Sequence, residues 1–334
     1  MLVIVAGEVD AHADAVVIAL RSLNFHQFVR IDFETAYSNF DVRLSPEHGD
    51  CAITSRKVTG RSCSIEDVKT VWWRREISVR SPMELELPSD KTLDAVECYW
   101  AFRWQIEALP SDRFPLSHPY RIREASNKIS QLHLAKNIGL KVPDTLFSND
   151  KAALLDFVSR HPEIIIKPLK TTVASSGPSN REITLITRPT TSEKIKELIV
   201  QTDIPAVYCQ ERIRKVADVR VNILPSRSLA CRIDTSNLPS HEVDWRPTTF
   251  DHEHKIIPFP QELDALCREL LRHFGLRWGA FDFALDDAGD WTFFECNPNG
   301  AWLWIEIKTG VPISKYVANT LIEHHEASES ACSK

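Results

Sequence analysis

The feature that most constrains the fold is a pair of apolar runs near the end of the chain, within residues 278–306. Between them lies DDAGD, residues 286–290, a cluster of turn-forming residues that predicts an antiparallel hairpin. Asp282 is on the first run, and Glu295 and Asn297 are two positions apart on the second. Because side chains alternate between the two faces of a strand, Glu295 and Asn297 point the same way, and strand pairing can bring Asp282 beside them.

Two interpretations of this hairpin are open from the pattern itself. Carboxylate and amide oxygens suit Mg²⁺, which keeps several waters and usually completes its shell with substrate phosphates. A buried hairpin whose carboxylates lie at its hydrated ends would show the same pattern. The rest of the chain has to decide between a metal site and a plain hairpin.

The composition is that of an ordinary globular protein, with 334 residues of which 43% are hydrophobic and 26% charged. This length allows two or three subdomains. A net charge of −6 argues against broad nucleic-acid binding. The eight cysteines are scattered without CxxC spacing, which fits a reducing cytoplasm. No apolar run is long enough to cross a bilayer, and no signal peptide precedes the first strand, so we expect a cytoplasmic protein without a membrane segment.

The N-terminal part of the chain has the pattern of an α/β layer. Residues 2–6 predict a buried strand, the following helical spacing predicts a helix capped by Asp10, and residues 28–33 predict a second strand. The G-x-G-x-x-G pattern that lets a backbone approach a pyrophosphate is missing. We therefore expect no dinucleotide site in this layer.

A later strand of this layer ends in two arginines, Arg74 and Arg75. The carboxyl end of such a strand is where open α/β sheets present ligand groups, so the pair can meet a carboxylate or phosphate, or can be two solvated charges. Their roles stay open. Leu93, Trp100 and Trp104 then recur at helical spacing and predict an amphipathic helix, whose aromatic stripe we expect to pack on the first domain.

Two lysines are candidates for phosphate binding. Lys128 lies in the first turn of a helix that we expect Ser126 to cap, where a cation opposes the helix dipole. Lys167 ends an apolar strand and precedes a hydroxyl-rich loop at 170–181. It can act as a phosphate clamp, or it can extend into solvent from a strand edge.

The last third of the chain holds further polar groups on strands. A strand at 206–213 has a polar end that can read an adenine through backbone hydrogen bonds. Asp218, Arg220 and Asn222 alternate with apolar residues and so share one face of a strand. We interpret residues 235–260 as a long functional loop, in which DHEHK favours a polar loop over a zinc site.

Together these pieces resemble the ATP-grasp ligases, in which two subdomains hold ATP between them. The resemblance covers about residues 119–325. It implies an α/β (α+β) chain with the ATP-grasp fold behind an N-terminal pre-ATP-grasp domain. The implied divisions are 1–118 for the N-terminal domain, 119–205 for the central subdomain, 206–325 for the C-terminal subdomain with the metal site, and 326–334 for a disordered tail.

The resemblance also implies residue roles. Residues that match the family's ATP-binding positions are Lys128, Lys167, Gln210, Glu211, Ile213 and Asp218. Residues that match its Mg²⁺ ligands are Asp282, Glu295 and Asn297. The arginines that would hold an acyl phosphate are Arg220 and Arg246. The fixed fork of a guanidinium suits phosphate bidentately.

A narrower likeness is carried by VWWRRE, DWR at 244–246 and ECNPNGAWLWIE, which resemble motifs of the microviridin-type ATP-grasp peptide cyclases, also called graspetide synthetases. It implies ATP and Mg²⁺ as cofactors and a precursor peptide, leader plus core, as substrate. An Asp or Glu side chain of that peptide would become an acyl phosphate and be joined to a Ser or Thr hydroxyl or a Lys amine. Two positions depart from the family pattern. Arg212 lies in the hinge, the segment of 210–213 that would meet adenine, and Ala301 lies in the NPNG run.

Two alternatives remain at this point. One is another ATP-grasp carboxylate–amine ligase, acting on a protein or a small molecule. The other is an ATP-binding module without turnover. In each case we expect no nucleic-acid or membrane partner, and we keep a homodimer as one option for the assembly.

Overall fold

The computed structural model of the chain describes residues 1–33, 35–45, 50–55, 62–74, 89–167, 173–176, 181–184, 188–191, 193, 196–197, 207–236 and 252–332. Within these ranges, none of the helices combines the length and the apolar character that a membrane crossing requires.

The predicted N-terminal α/β layer is confirmed. Its elements are β1 (Leu2–Val5), α1 (Ala11–Ser22), β2 (Phe28–Ile31) and, further on, β6 (Thr70–Trp73). The three strands form a parallel sheet in the order β2-β1-β6. Every residue of β1 is buried, as expected for a strand covered on both faces. Asp10 caps α1 as predicted, because its carboxylate accepts the first free amides of the helix.

A second, antiparallel sheet and one long helix complete this domain. They comprise α2 (Ala36–Asn39), β3 (Phe40–Ser45), β4 (Asp50–Ser55), β5 (Ser62–Ser64) and α3 (Ser89–Glu107). The helix α3 was predicted, but its buried face was not. Leu93 and Trp104 are 66% and 61% exposed, whereas Tyr99, Phe102 and Ile106 form the core face. Aromatic spacing alone cannot choose between two stripes on one helix, and here both faces carry large side chains.

The connector after α3 leads into two short helices, α4 (Pro119–Ala125) and α5 (Lys128–Asn137). Asn127, not Ser126, caps α5, since its side-chain oxygen accepts from the amides of the first turn. Ser126 instead ends α4, donating its hydroxyl to the carbonyl of Ile122 at 2.7 Å. Lys128 is therefore the first residue of α5.

The central subdomain is built on an antiparallel sheet with the order β11-β8-β12-β7. Its elements are β7 (Thr145–Ser148), α6 (Lys151–Arg160), β8 (Glu163–Lys167), β9 (Val173–Ser176), β10 (Arg181–Thr184), β11 (Arg188–Thr191) and β12 (Val207–Glu211). Part of the loop expected at 170–181 is strand, because β9 pairs with β10. Most of residues 192–206 lie outside the described residues.

The C-terminal subdomain holds a five-stranded antiparallel sheet in the order β15-β14-β13-β16-β17. Its elements are β13 (Ala217–Leu224), β14 (Arg227–Asp234), β15 (His254–Ile257), α7 (Gln261–His273), β16 (Gly279–Leu285), β17 (Trp291–Asn297), α8 (Leu303–Thr309) and α9 (Ile313–Cys332). The strand β15 corrects our interpretation of 235–260 as loop, because it pairs with β14. The preceding residues 237–251 lie outside the described ranges.

The two ends of the chain share one hydrophobic core. Leu2 and Ile4 of β1 belong to the same buried cluster as Trp302, Val317 and Leu321. The helix α9 packs along α1 and against β6. It continues to Cys332, so residues 326–332 are helical where we expected a disordered tail. Its contacts with the first domain explain this difference, since a docked helix needs no further support from sequence propensity.

Candidate functional site

The predicted hairpin is confirmed as β16 paired with β17. Asp282 lies directly opposite Glu295, and Ala280 lies opposite Asn297. The register shifts between Asp282 and Phe283, which marks a β-bulge on β17. A bulge re-aims side chains locally, and it falls beside the three predicted metal ligands. The geometry therefore brings two carboxylates and one amide to the same place on the outer part of the sheet.

Arg220 contacts the carboxylate of Asp282 through both arms of its guanidinium. Its Nε donates to Oδ1, its Nη2 donates to Oδ2 at 3.2 Å, and its Nη1 donates to the carbonyl of Ala301 at 3.2 Å. The strand β13 pairs with β16 so that Arg220 and Asp282 are cross-strand partners. Asn297 joins them by donating its Nδ2 to Asp282 Oδ2 at 3.4 Å. A predicted phosphate arginine thus lies against a predicted metal ligand.

Lys128 joins the same cluster from the helix side. Its Nζ lies 3.3 Å from Glu295 Oε2, with both side chains partly exposed. The unfavourable position of a cation at the start of α5 is therefore offset by a carboxylate from β17. The structure brings Lys128 and Glu295 together, although they are far apart in sequence.

Lys167 approaches from the central subdomain. Its Nζ donates to Gln210 Oε1 at 2.8 Å and lies 4.9 Å from the ring centroid of Phe294 and 5.8 Å from that of Tyr208. The strand β8 is an inner strand, so Lys167 does not extend into solvent from a sheet edge. Since Phe294 belongs to β17 and precedes Glu295, Lys167 of the central sheet reaches the strand that carries two of the predicted metal ligands.

The strand β12, whose polar end we predicted to meet an adenine, holds Lys167 in this position. Gln210 is fully buried, and its Nε2 donates to Thr145 Oγ1 at 3.0 Å and to the Tyr208 hydroxyl at 3.1 Å. Burial, followed by the negative charge of Glu295, raises the pKa of Tyr208, so the phenol stays protonated. The side chain of Gln210 thus serves the lysine, while the role predicted for it was backbone contact with adenine.

The other residues that we predicted to contact the nucleotide lie between the end of β12 and the start of β13. Glu211 accepts the amide of Asp144 through Oε1 at 3.0 Å, and its own amide donates to the Asp144 carbonyl at 3.0 Å. Ile213 follows in the segment between β12 and β13 and is half-buried. Asp218 lies two residues before Arg220 on β13, and Lys215 Nζ is 2.6 Å from its Oδ1. These residues connect the two sheets on the Lys167 side.

The first domain also reaches the site through Arg74. This side chain is 5% exposed, donates Nη1 to the carbonyl of Asn299 at 3.0 Å, and lies 5.1 Å from the ring centroid of Trp302. Its Nε is 3.7 Å from Asp10 Oδ1. Arg74 is therefore a buried support for the loop after Asn297, and not a solvated charge. Arg75 lies outside the described residues.

Some predicted features lie outside the described residues, and one buried contact to the site strand was not predicted. Arg246 lies outside the described residues, as does most of the loop at 170–181. Gln131 was not predicted, although it is buried and bonded to the backbone of Cys296. Its spacing of three residues from Lys128 places both on one face of α5, and that spacing could have identified it.

Comparisons with known proteins agree with this architecture. No protein-family profile matches the chain, and no curated protein matches it. Solved structures do match. The macrocyclase MdnC of Microcystis aeruginosa, bound with precursor peptide MdnA, has a TM-score of 0.78 at 24% identity, over 97% of this chain and 99% of its own.

Two further solved structures are similar over nearly their whole length. A RiPP-associated ATP-grasp ligase of Chryseobacterium gregarium, in complex with ADP and a leader and core peptide, has a TM-score of 0.81 at 20% identity, over 96% of each chain. The ATP-grasp ligase PsnB, complexed with a minimal precursor, Mg and ADP, has a TM-score of 0.72 at 19% identity, over 97% of this chain and 98% of its own. The predicted fold is thereby confirmed: this chain has the mixed α/β ATP-grasp fold, which matches these solved structures over nearly their whole length.

Proposed function

We propose that the chain is an ATP-dependent carboxylate ligase that acts on a ribosomally made precursor peptide. It activates an Asp or Glu side chain as an acyl phosphate and joins it to a Ser or Thr hydroxyl or a Lys amine, which closes an ester or amide ring. Solved structures that match over nearly their full length hold a precursor peptide, and some hold ADP and Mg. These ligands support the choice of substrate class.

One observation carries the proposal. Arg220 and Asn297 contact the Asp282 carboxylate, and Lys128 contacts Glu295, which is the cross-strand partner of Asp282. Three oxygen-bearing side chains and two cations in one cluster are what a reaction between two anions requires. A hairpin with carboxylates at its hydrated ends would not need a lysine and an arginine from two other elements.

The donor set fits a hard divalent cation. Two carboxylates and a side-chain amide offer oxygen ligands only, which is the preference of Mg²⁺. The amide of Asn297 points its nitrogen at Asp282 as assigned, and rotation of the amide would present its oxygen in the same place. Bound there with ATP, Mg²⁺ would neutralise charge on the phosphates.

The chain's own residues divide the remaining work. Lys167 lies where it can contact the phosphates between the two sheets, held by Gln210 and by the faces of two aromatic rings. The peptide carboxylate attacks the γ-phosphorus of ATP, giving the acyl phosphate and ADP. The hydroxyl or amine then attacks the acyl carbon, loses its proton, and releases phosphate. Arg220 can stabilise the charge of the acyl phosphate beside the carboxylate cluster.

The direct experiment is co-expression with a candidate precursor, a short peptide rich in Thr, Ser, Asp and Glu, to be sought among the neighbours of the gene. We expect the peptide to lose the mass of one water for each linkage. Treatment with hydroxylamine distinguishes the products, because esters are cleaved and amides resist. A gain of an amino-acid mass would instead favour a carboxylate–amine ligase, and ATP binding without any mass change would favour a non-catalytic module.

A Glu295→Ala variant is the matched control for this experiment. Co-expressed at the same level, it should leave the peptide at its unmodified mass, because one oxygen ligand is lost. Modification of the peptide when it is expressed without the ligase would show that another protein of the host modifies it, whereas cyclisation that requires the Glu295→Ala variant would contradict the role of Glu295 as a metal ligand.

A further inference from the structure

The strand that carries Glu295 and Asn297 is held on its outer side by one buried side chain. Gln131 of α5 is 2% exposed. Its Nε2 donates to the carbonyl of Cys296 at 2.7 Å, and its Oε1 accepts the amide of Cys296, also at 2.7 Å. The second hydrogen of Nε2 is donated to the carbonyl of Ala125. Both N–H groups and the carbonyl oxygen of this carboxamide are therefore hydrogen-bonded, and the contacts fix which end of the amide is nitrogen.

The position of these bonds in the sheet gives them their importance. Among the described strands β17 lies at the edge of its sheet, so its backbone groups that face away from β16 pair with no described strand. In a strand, the N–H and C=O of one residue point to the same side, and those of Cys296 point toward Gln131. The carboxamide offers one donor and one acceptor side by side, as a neighbouring strand would. Cys296 is the residue between Glu295 and Asn297.

The same helix also supplies Lys128, three residues earlier and on the same face. Lys128 contacts Glu295, and Gln131 contacts the next residue of the strand. The helix α5 therefore sets both the charge beside Glu295 and the position of the backbone from which Glu295 and Asn297 extend. Burial raises the pKa of the Cys296 thiol well above its usual value, so Cys296 contributes its backbone and an apolar side chain.

We propose that Gln131 is a positioning residue for the metal site, fixing the Glu295 and Asn297 side chains relative to Lys128. This inference rests on the proposed function. Groups that orient metal ligands without touching the metal commonly change metal affinity or activity by about 10- to 100-fold when they are removed. The side chain must be Gln, because Glu lacks the donor for the Cys296 carbonyl, Leu lacks both groups, and Asn is one methylene shorter.

The test measures the affinity for Mn²⁺ in the presence of a non-hydrolysable ATP analogue. Electron paramagnetic resonance reports how much of the Mn²⁺ is bound. In Gln131→Leu we expect Mn²⁺ affinity to fall about 10- to 100-fold, and the Mg²⁺ concentration for half-maximal turnover to rise by a similar factor. The KM for the peptide should stay within about twofold. Gln131→Asn should also lower the Mn²⁺ affinity, by a smaller factor. This variant provides the test if Gln131→Leu does not fold. His133→Gln, an exposed change on the same helix, should match the wild type.

Two results would overturn the assignment. One is a folded Gln131→Leu or Gln131→Asn variant with unchanged Mn²⁺ affinity, and the other is a lowered melting temperature with no change in metal binding, which would make the role purely structural. The peptide reaction is read separately. A wild-type protein that binds Mn²⁺ with the analogue but cyclises no peptide would contradict the proposed function. The Mn²⁺ affinities of the Gln131 variants would still test the role of Gln131.

Discussion

The two halves of the segment from Trp291 to Glu306 have opposite physical characters. The first half presents Glu295 and Asn297 to a cluster of charges that are partly exposed. The second half buries Trp302, which is 1% exposed, donates its indole N–H to Ser314 Oγ at 3.0 Å, and packs in the core shared by both ends of the chain. We infer that the Glu295 and Asn297 side chains contribute chemistry and little stability, whereas Trp302 contributes stability. Substitutions should separate these contributions.

The largest effect should come from the ligand half. We expect Glu295→Ala and Asn297→Ala each to lower the ligation rate by at least about 10³-fold, because the metal site loses an oxygen ligand. Their melting temperatures should stay within a few degrees of the wild type, since both side chains are partly exposed. Single-turnover kinetics and calorimetry measure the two quantities.

Asp287→Asn provides the control for these ligand variants. It changes an exposed carboxylate in the turn of the same hairpin and should leave both the rate and the melting temperature unchanged. Near-normal turnover in both ligand variants would refute the metal assignment.

The packing half should respond in stability. Trp302→Ala removes a fully buried ring and leaves Arg74 without its aromatic neighbour, so we expect a loss of about 3–5 kcal/mol in the free energy of unfolding. Urea denaturation measures it. Trp304→Ala is the comparison, because Trp304 is half-buried and lies 6.0 Å from the Arg220 guanidinium. It should cost less stability and more activity, and the reverse order would contradict our division of the segment.

A substitution of Lys167 tests whether the central subdomain contributes to phosphate binding. We expect Lys167→Met to lower kcat/KM by about 10² to 10³, the usual loss for one preorganised charged contact. The free energy of unfolding should fall by about 1–3 kcal/mol, because the buried Gln210 Oε1 loses the lysine that donates to it. Lys141→Met is the control, since Lys141 forms only an exposed ion pair with Asp290. Equal rates for the two variants would show that Lys167 has no part in phosphate binding.

The sequence was most informative where residue spacing and chemistry agreed. The hairpin, the shared face of Glu295 and Asn297, and the position of Lys128 at a helix start all followed from periodicity and turn composition. Each of these features is set locally, within one hairpin or one helix. The fold of the C-terminal subdomain followed from the family resemblance and not from these patterns.

The features that sequence reasoning missed depend on contacts between distant segments. Gln131 and Cys296 are 165 positions apart, and nothing local marks their pairing. Arg74 could be a ligand group or a solvated charge until Asn299 was placed beside it. The strand β15 was missed because its pairing with β14 decides its structure, and pairing overrides weak local preference. The helical end of α9 is explained in the same way by its docking on the first domain.

The stability of the core shared by the two ends of the chain should also depend on pH, through a histidine of α9. Burial lowers the pKa of His324, which lies 2.9 Å from Thr70 Oγ1 through Nδ1 and 2.7 Å from the Asp112 carbonyl through Nε2. The unfolded chain then binds this proton more readily, so stability is present above a pH of about 6.5 and declines as the pH falls below it. Urea unfolding at several pH values measures the slope. His324→Gln should flatten it, and an unchanged slope would exclude His324 as a source.

The smallest effect should come from the aromatic stripe whose burial we predicted incorrectly. Trp104 is 61% exposed on α3, and Trp100, its stacking neighbour at 5.3 Å between ring centroids, is 39% exposed. Because little surface is removed from water there, Trp104→Ser should change the free energy of unfolding by no more than about 0.5 kcal/mol. Phe102→Ala, on the opposite and fully buried face of α3, should cost about 3–5 kcal/mol. Comparable losses for the two variants would mean that the stripe is covered in solution, and ultracentrifugation would then show whether a second copy covers it.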